Sequence, residues 1–334
     1  MSTGDHLPRL VFSIGDCNGI GPEVLLKGLT KTLDIIKFSP IIVGNLRLIA
    51  ETIDALSLST ARIDNSDLSI NSHQVPVLNL PVNEPLAFGS LSAEIGRLAG
   101  ESITRGVEML LRDEAEGLVT MPISKSGLNL GGFNWLGHTE MITHLSGGNA
   151  PLMILATETL RVALTTSHLP LQDVPSLITS DLIQEKFIAF HKSLREDFGI
   201  ASPRIALLGL NPHAGEDGIL GWEEKKIFVP TINNLCSNGY LAEGPFPADG
   251  FFARYRPGEY DGVLASYHDQ GLIPLKMIAR GAGVHITAGL PIVRTSPDHG
   301  TAYGIAGKGI ADETSTVQAI DMALKIINNR RHDR

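Results

Sequence analysis

Residues 10–33, LVFSIGDCNGIGPEVLLKGLTKTL, read in order as a strand, a tight glycine-bearing loop and a helix. Leu10–Ile14 is a short apolar run of the kind a buried strand uses. Pro22 stands where a first helical turn accepts proline, because that N–H has no partner inside a helix. The helix is therefore predicted over Pro22–Leu33. The same grammar recurs along the chain. Further strands are predicted at Pro40–Val43, Gly117–Thr120, Arg204–Leu210, Gly262–Tyr267, Val284–Thr287 and Ile292–Thr295. Further helices are predicted at Leu46–Leu56, Ser90–Glu114, His138–Leu145, Asp181–Phe198, Glu223–Leu235 and Thr314–Asn329. In Ser90–Glu114, Leu91, Ile95, Leu98, Ile103, Val107 and Leu110 keep helical spacing. Pro151–Ala156 and Arg161–Thr166, joined by a short polar link, read as an antiparallel hairpin. Strand–helix alternation of this kind predicts an α/β fold whose sheet is mostly parallel with some antiparallel additions.

A chain of 334 residues exceeds one simple core, so one large or two closely joined domains are expected. No Pro/Ser-rich linker or internal repeat marks a boundary. The chain is read as one two-lobed unit over 1–334, with lobes discontinuous in sequence. No apolar run reaches the roughly 18 residues of a membrane span. The first residues, MSTGDHLPRL, lack a basic region followed by an apolar stretch, so a cytoplasmic protein is expected. Cys17 and Cys236 have neither metal spacing nor an obvious pairing and read as reduced thiols. The net charge of −9 argues against a nucleic-acid partner, whose phosphates need a basic surface. It leaves a phosphorylated small molecule open, since one pocket can be basic on an acidic protein. The terminal RRHDR reads as a solvated tail.

Three histidines follow predicted strands. RVALTT leads to Ser167-His168, RIALLGL to Asn211-Pro212-His213, and DGVLASY directly to His268-Asp269. In an open parallel sheet the strand C-termini share one edge, and ligands bind outside it. Histidines far apart in sequence can therefore meet there. Three neutral imidazoles form a good shell for zinc or another divalent transition metal, with positions left for a substrate. Asp269 and Asp249 are candidates for orienting a ligand or adding a carboxylate. The plainer reading makes each histidine an ordinary loop residue.

Lys125 follows the strand GLVT, Lys276 lies beyond His268, and Arg294 sits in GLPIVRTS. His138-Thr139 opens a predicted helix, where backbone N–H groups favour an anion. Together these could hold a phosphate and a carboxylate, although singly such cations are usually surface residues. The loop Gly15–Glu23 misses the dinucleotide pattern because Val24 stands where a third glycine is needed, so a structural turn is as good a reading. Gly300, Gly304, Gly307 and Gly309 make a backbone-rich loop that could lie against a nucleotide.

Taken together, GDCNGIGPE (15–23), GHTE (137–140), TTSHLPL (165–171), LNPHAGE (210–216), GPFPAD (244–249), YHDQGLIPLK (267–276) and GLPIVRTSPDHGTAYGIAGKG (289–309) resemble the 4-hydroxythreonine-4-phosphate dehydrogenase family of pyridoxal phosphate biosynthesis. The resemblance runs through nearly the whole chain in the family's order. It implies a divalent metal (Zn, Mg, Mn or Co) on His168, His213 and His268. It implies substrate contacts from His138, Thr139, Lys276, His285 and Arg294, with NAD or NADP as oxidant and the loop bearing Gly300 and Gly307 beside the cofactor. Lys276, Lys125 or a water is the implied base. A homodimer sharing its site between subunits, and two α/β domains similar to isocitrate and isopropylmalate dehydrogenases with a cleft between them, are implied as well. Two departures stand out. The family carries Asn where this chain has His285, at a position that touches substrate, and many members read GDPAG where this chain reads GDCNG. His285 keeps a sister activity on a threonate or erythronate phosphate open. A metal-dependent phosphoester hydrolase and a non-catalytic metal-binding protein are the remaining alternatives.

Overall fold

The computed structural model describes residues 6–149 and 151–332. Residues 1–5 of the N-terminal stretch and the last two of the RRHDR tail lie outside the described residues. The chain forms two compact units, Met1–Pro151 with Leu290–Ile327, and Leu152–Gly289 with Asn328–Arg334.

Unit 1 runs β1 (Arg9–Ser13), α1 (Gly21–Thr32), β2 (Ser39–Gly44), α2 (Leu46–Leu56), β3 (Ala61–Asp64), β4 (Asp67–Ile70), β5 (His73–Val75), β6 (Val77–Asn79), α3 (Ala93–Leu111), β7 (Gly117–Thr120), α4 (Lys125–Leu130) and α5 (His138–Ser146). Unit 2 follows with β8 (Leu152–Ala156), β9 (Arg161–Leu164), α6 (Val174–Leu177), α7 (Ser180–Glu196), β10 (Arg204–Leu208), α8 (Val229–Ser237), β11 (Leu241–Phe246), α9 (Ala248–Ala253), β12 (Gly262–Ala265), α10 (His268–Ala279) and β13 (Val284–Ala288). The chain then returns to unit 1 for β14 (Val293–Pro297) and α11 (Thr314–His332), whose last turn belongs to unit 2.

The unit 1 strands stand in the order β14-β7-β1-β2-β6, and every pair is parallel. From β1 the chain passes to β2 on one side and later to β7 on the other. The loops after β1 and β7 therefore flank a switch point, where open parallel sheets leave a crevice for ligands. In unit 2 the order is β11-β10-β12-β9-β8-β13. Its first four strands are parallel, while β8 runs antiparallel to both β9 and β13. The α/β class, the mostly parallel sheet and the 152–164 hairpin are thus as expected from the sequence.

Local signals set the helix ends. Asn45 and Ser92 accept the N–H groups of Leu48 and Ile95 at the starts of α2 and α3. The unit 2 sheet packs on α10 through Leu155, Val162, Leu164, Val263, Leu272 and Leu275, all nearly inaccessible. No helix among the described residues is long and apolar enough to cross a membrane.

Several elements depart from the sequence expectation, β6, β11, α4, α6 and α9 among them, and three departures have a local cause. The β3–β4–β5 meander was not foreseen, because strands of three or four residues show no alternation. Its first turn places Asn65 and Ser66 both at positive φ, the signature of a two-residue hairpin loop. Helix α10 was hidden by Pro274, which lies inside it. The helix predicted over Glu223–Leu235 instead opens with a π-helical turn at Glu224–Phe228 before α8.

Candidate functional site

Strands β9, β12 and β10 are parallel neighbours, so their C-terminal ends share an edge, and His168, His268 and His213 lie just beyond those ends. Polar side chains tie this edge together. The Thr166 hydroxyl donates to the Ser266 carbonyl (2.8 Å), and the Ser266 hydroxyl donates to the Leu208 carbonyl (2.9 Å). Gln270 accepts from the Ser266 N–H (2.7 Å) and donates to the Gly209 carbonyl (2.6 Å). Three loops are thus held at one rim by three side chains that sequence reasoning did not single out.

The His168 and His268 rings meet with centroids 5.6 Å apart, over a cavity of about 520 Å³ lined also by Thr166, Leu171, Val174 and Tyr267. His268 Nδ1 lies 2.7 Å from an Asp269 carboxylate oxygen. That contact holds the proton on Nδ1 and turns Nε2 outward as a lone-pair donor, the arrangement that carboxylates impose on metal-binding histidines. The pair therefore fits two ligands of a divalent ion. Among the described residues no group of three His, Cys, Asp or Glu side chains is gathered in metal-binding geometry, so His213 does not join the pair within this chain.

His213 sits on an unusual turn. Residues 213–217 all have φ between 42° and 80°, and four of the five are not glycine. Each such left-handed residue costs on the order of 1–2 kcal/mol, so the surroundings must impose the shape. Asn211 anchors the turn: its N–H donates to Glu224 Oε1 (2.7 Å), and its side-chain amide donates to Glu224 Oε2 (2.9 Å) and Glu223 Oε2 (2.8 Å). Gly215 is obligatory at φ 80°, and a Cβ there would stand 2.6 Å from Glu224 Oε2.

In unit 1 the buried cation is Arg294 on β14, only 1% exposed. Its Nε and Nη2 both donate to the Thr120 hydroxyl at the end of β7 (3.2 and 2.7 Å). Burial lowers the guanidinium to about 9, with the Glu140 carboxylate working against the fall, so it stays charged near neutrality. His138 opens α5. Burial, then the Arg294 charge, holds its pKa well below the usual histidine value, while a bond to the Met121 backbone opposes the shift. It is therefore neutral at pH 7. Its Nε2 is buried without a hydrogen-bond partner among the described residues, which a polar ligand atom would satisfy. Thr139 lies half-buried in the same first turn, and Lys125 and Glu140 both approach Gly137 just before it. A buried guanidinium and a lysine beside a helix N-terminus suit a phosphate.

The remaining sequence candidates are dispersed. Lys276 is exposed on α10, about 12 Å along the axis from His268 at 1.5 Å per residue. Asp249 is exposed in the first turn of α9, and His285 lies half-buried on β13 opposite Leu155. Gly307 has a packing reason, since a Cβ would meet the Phe88 ring at 2.5 Å, whereas Gly300 is open to solvent. The first loop is likewise bound by packing: Cβ atoms on Gly15, Gly19 and Gly21 would strike the carbonyls of Pro122, Thr301 and Ile14 at 2.5–2.8 Å. Tyr303 donates to Asp16 at that loop (2.5 Å). Both cysteines are free thiols, and burial pushes the Cys17 thiol upward.

Known proteins are similar to this chain over nearly its full length. The sequence model of the family described as pyridoxal phosphate biosynthetic protein PdxA matches residues 37–323. A 4-hydroxythreonine-4-phosphate dehydrogenase of Bacteroides thetaiotaomicron is 41% identical over 98% of this chain and 90% of its own. A D-threonate 4-phosphate dehydrogenase of Cupriavidus necator is 38% identical over 98% of this chain and 99% of its own. The crystal structure of the 4-hydroxythreonine-4-phosphate dehydrogenase of Klebsiella pneumoniae superposes with a TM-score of 0.83 at 34% identity, covering 98% of this chain and 99% of that one. With the family model matching residues 37–323 and relatives this similar over nearly the whole chain, the protein belongs to the pyridoxal phosphate biosynthetic protein PdxA family.

Proposed function

We propose that the protein oxidises 4-phosphohydroxy-L-threonine with NAD or NADP to a 3-oxo acid, which loses carbon dioxide to give 3-amino-2-oxopropyl phosphate. The observation that carries this reading is the His168–His268 pair at the edge of adjacent parallel strands, with Asp269 orienting one ring. Its support from relatives is a dehydrogenase of that name, 41% identical over nearly the whole chain. A divalent ion (Zn, Mg, Mn or Co) held by His168, His268 and His213 would supply Lewis acidity to the substrate hydroxyl, and the nicotinamide would supply the hydride acceptor. The residues of the chain do the rest. Arg294, with neutral His138 and the first turn of α5 carrying Thr139, grips the phosphate, and that remote binding energy aligns the reacting carbon. The alcohol proton leaves to Lys276, Lys125 or a water, with Asp249 and His285 as further polar contacts. The reading includes a homodimer, implied by the family resemblance, in which ligands come from both subunits. It also places the protein in the cytoplasm, with a diffusible substrate.

A second substrate has a specific observation behind it. The Cupriavidus necator relative is named for D-threonate 4-phosphate, and His285 stands where the family resemblance leads one to expect asparagine. Absorbance at 340 nm tests both. Metal-dependent reduction of NAD or NADP by 4-phosphohydroxy-L-threonine is the expected result, and a signal with threonate phosphate alone moves the assignment. His168→Ala, His213→Ala and His268→Ala should each lower turnover at least 100-fold, in line with loss of a metal ligand. Arg294→Ala should chiefly raise KM. Full turnover after exhaustive chelation sinks the scheme.

A further inference from the structure

We infer that Glu224 is the positioning residue that presents His213 to a metal, an inference that rests on the reading of His213 as a ligand. Glu224 is 3% exposed, and among the described residues the hydrogen bonds its carboxylate accepts come from Asn211. A buried carboxylate satisfied by one asparagine is an expensive way to close a loop, and an apolar residue would stabilise a mere packing site better. The carboxylate earns its place through what it grips. One oxygen takes the Asn211 N–H just before the left-handed run, and the other takes the Asn211 amide and fills the space that a Cβ on Gly215 would enter. His213 stands between these two points, at φ 53°.

The element that carries Glu224 is built for the task. Glu224–Phe228 is a π-helical turn, with the Val229 N–H bonded to the Glu224 carbonyl. Pro230 follows at once and brings no N–H of its own to the next turn. The extra residue of a π turn swings the side chain that opens it out of the register an α-helix would give, and such turns gather at functional sites. Glu224 is thereby aimed at the loop after β10. Without the carboxylate, both bonds that pin Asn211 to Glu224 are lost, the left-handed run of residues 213–217 loosens, and the imidazole leaves the place where it ligates.

Titration of the metal-stripped full-length protein with Co(II), followed by calorimetry and by the visible spectrum of the bound ion, tests this directly. Glu224→Ala is expected to weaken Co(II) binding 10–100-fold, the usual effect of losing a group that orients a metal ligand. Glu224→Gln keeps one oxygen for the Asn211 N–H, so its affinity is expected between that of the alanine variant and the wild type, and it serves where the alanine variant fails to fold. Wild-type Co(II) affinity and spectrum in both Glu224 variants, with His213→Ala impaired, overturn the inference and leave Glu224 a residue of the fold alone. Wild-type affinity in His213→Ala overturns the ligand assignment itself and this inference with it.

Discussion

Arg294 and His138 show what a binding pocket demands of single side chains. Each is kept from water by the fold that also needs its polarity. His138 titrates well below the ordinary 6.5 because burial and the neighbouring guanidinium disfavour its charged form. The sign follows: below pH 6.5 the unfolded chain binds a proton that the folded chain refuses, so stability falls as pH drops. Thermal melts from pH 7.5 to 5 should show this falling limb, and His138→Gln should flatten it. The part due to His191, whose burial shifts it the same way, should remain. An unchanged slope in the variant would put the proton uptake elsewhere. The sequence displayed His138, His168, His268 and Arg294, because strand ends and a helix start are readable positions. It concealed Glu224, Gln270 and Thr120, which act through backbone groups and neighbours brought close only by folding.

Among the elements, the long apolar strands of the sheets announced themselves and the hairpin did so by its polar link, whereas the short β3–β6 strands, β11 and turns with left-handed backbone left little trace. NPHAGED contains one glycine, yet five successive residues adopt positive φ. Gly215 is the member of that run with no freedom to change. Gly215→Ala combines φ 80° with a Cβ contact at 2.6 Å from Glu224 Oε2, and it should destabilise unit 2 by about 1–3 kcal/mol. Urea unfolding followed by far-UV circular dichroism measures this, and a change under ~0.5 kcal/mol would mean that the loop relaxes freely. The same packing logic separates Gly307, pressed on Phe88, from Gly300, which nothing crowds. Sequence spacing made these two glycines look alike.

For the protein as an assembly, the expected sharing of ligands between subunits makes a sharp experiment. His213→Ala and His268→Ala are each expected to be inactive. If the two residues serve one site from different subunits, mixing the variants under exchange conditions should restore roughly a quarter of wild-type activity, since a dimer of one copy of each retains one intact site. No recovery would assign both ligands to the same subunit. The expectation of a dimer came only through family resemblance, because a single chain's composition carries no record of which surface a copy would cover.

The return of β14 and α11 to unit 1 bears on the order in which the protein can be made. All six strands of unit 2 are contiguous, whereas the β14–β7 pairing of unit 1 joins segments lying on either side of it. A ribosome releases the chain from its N-terminus, and a domain folds once its segments have emerged. The β14 edge of the unit 1 sheet is therefore closed only after every strand of unit 2 has emerged, and until then β7 waits with that edge open.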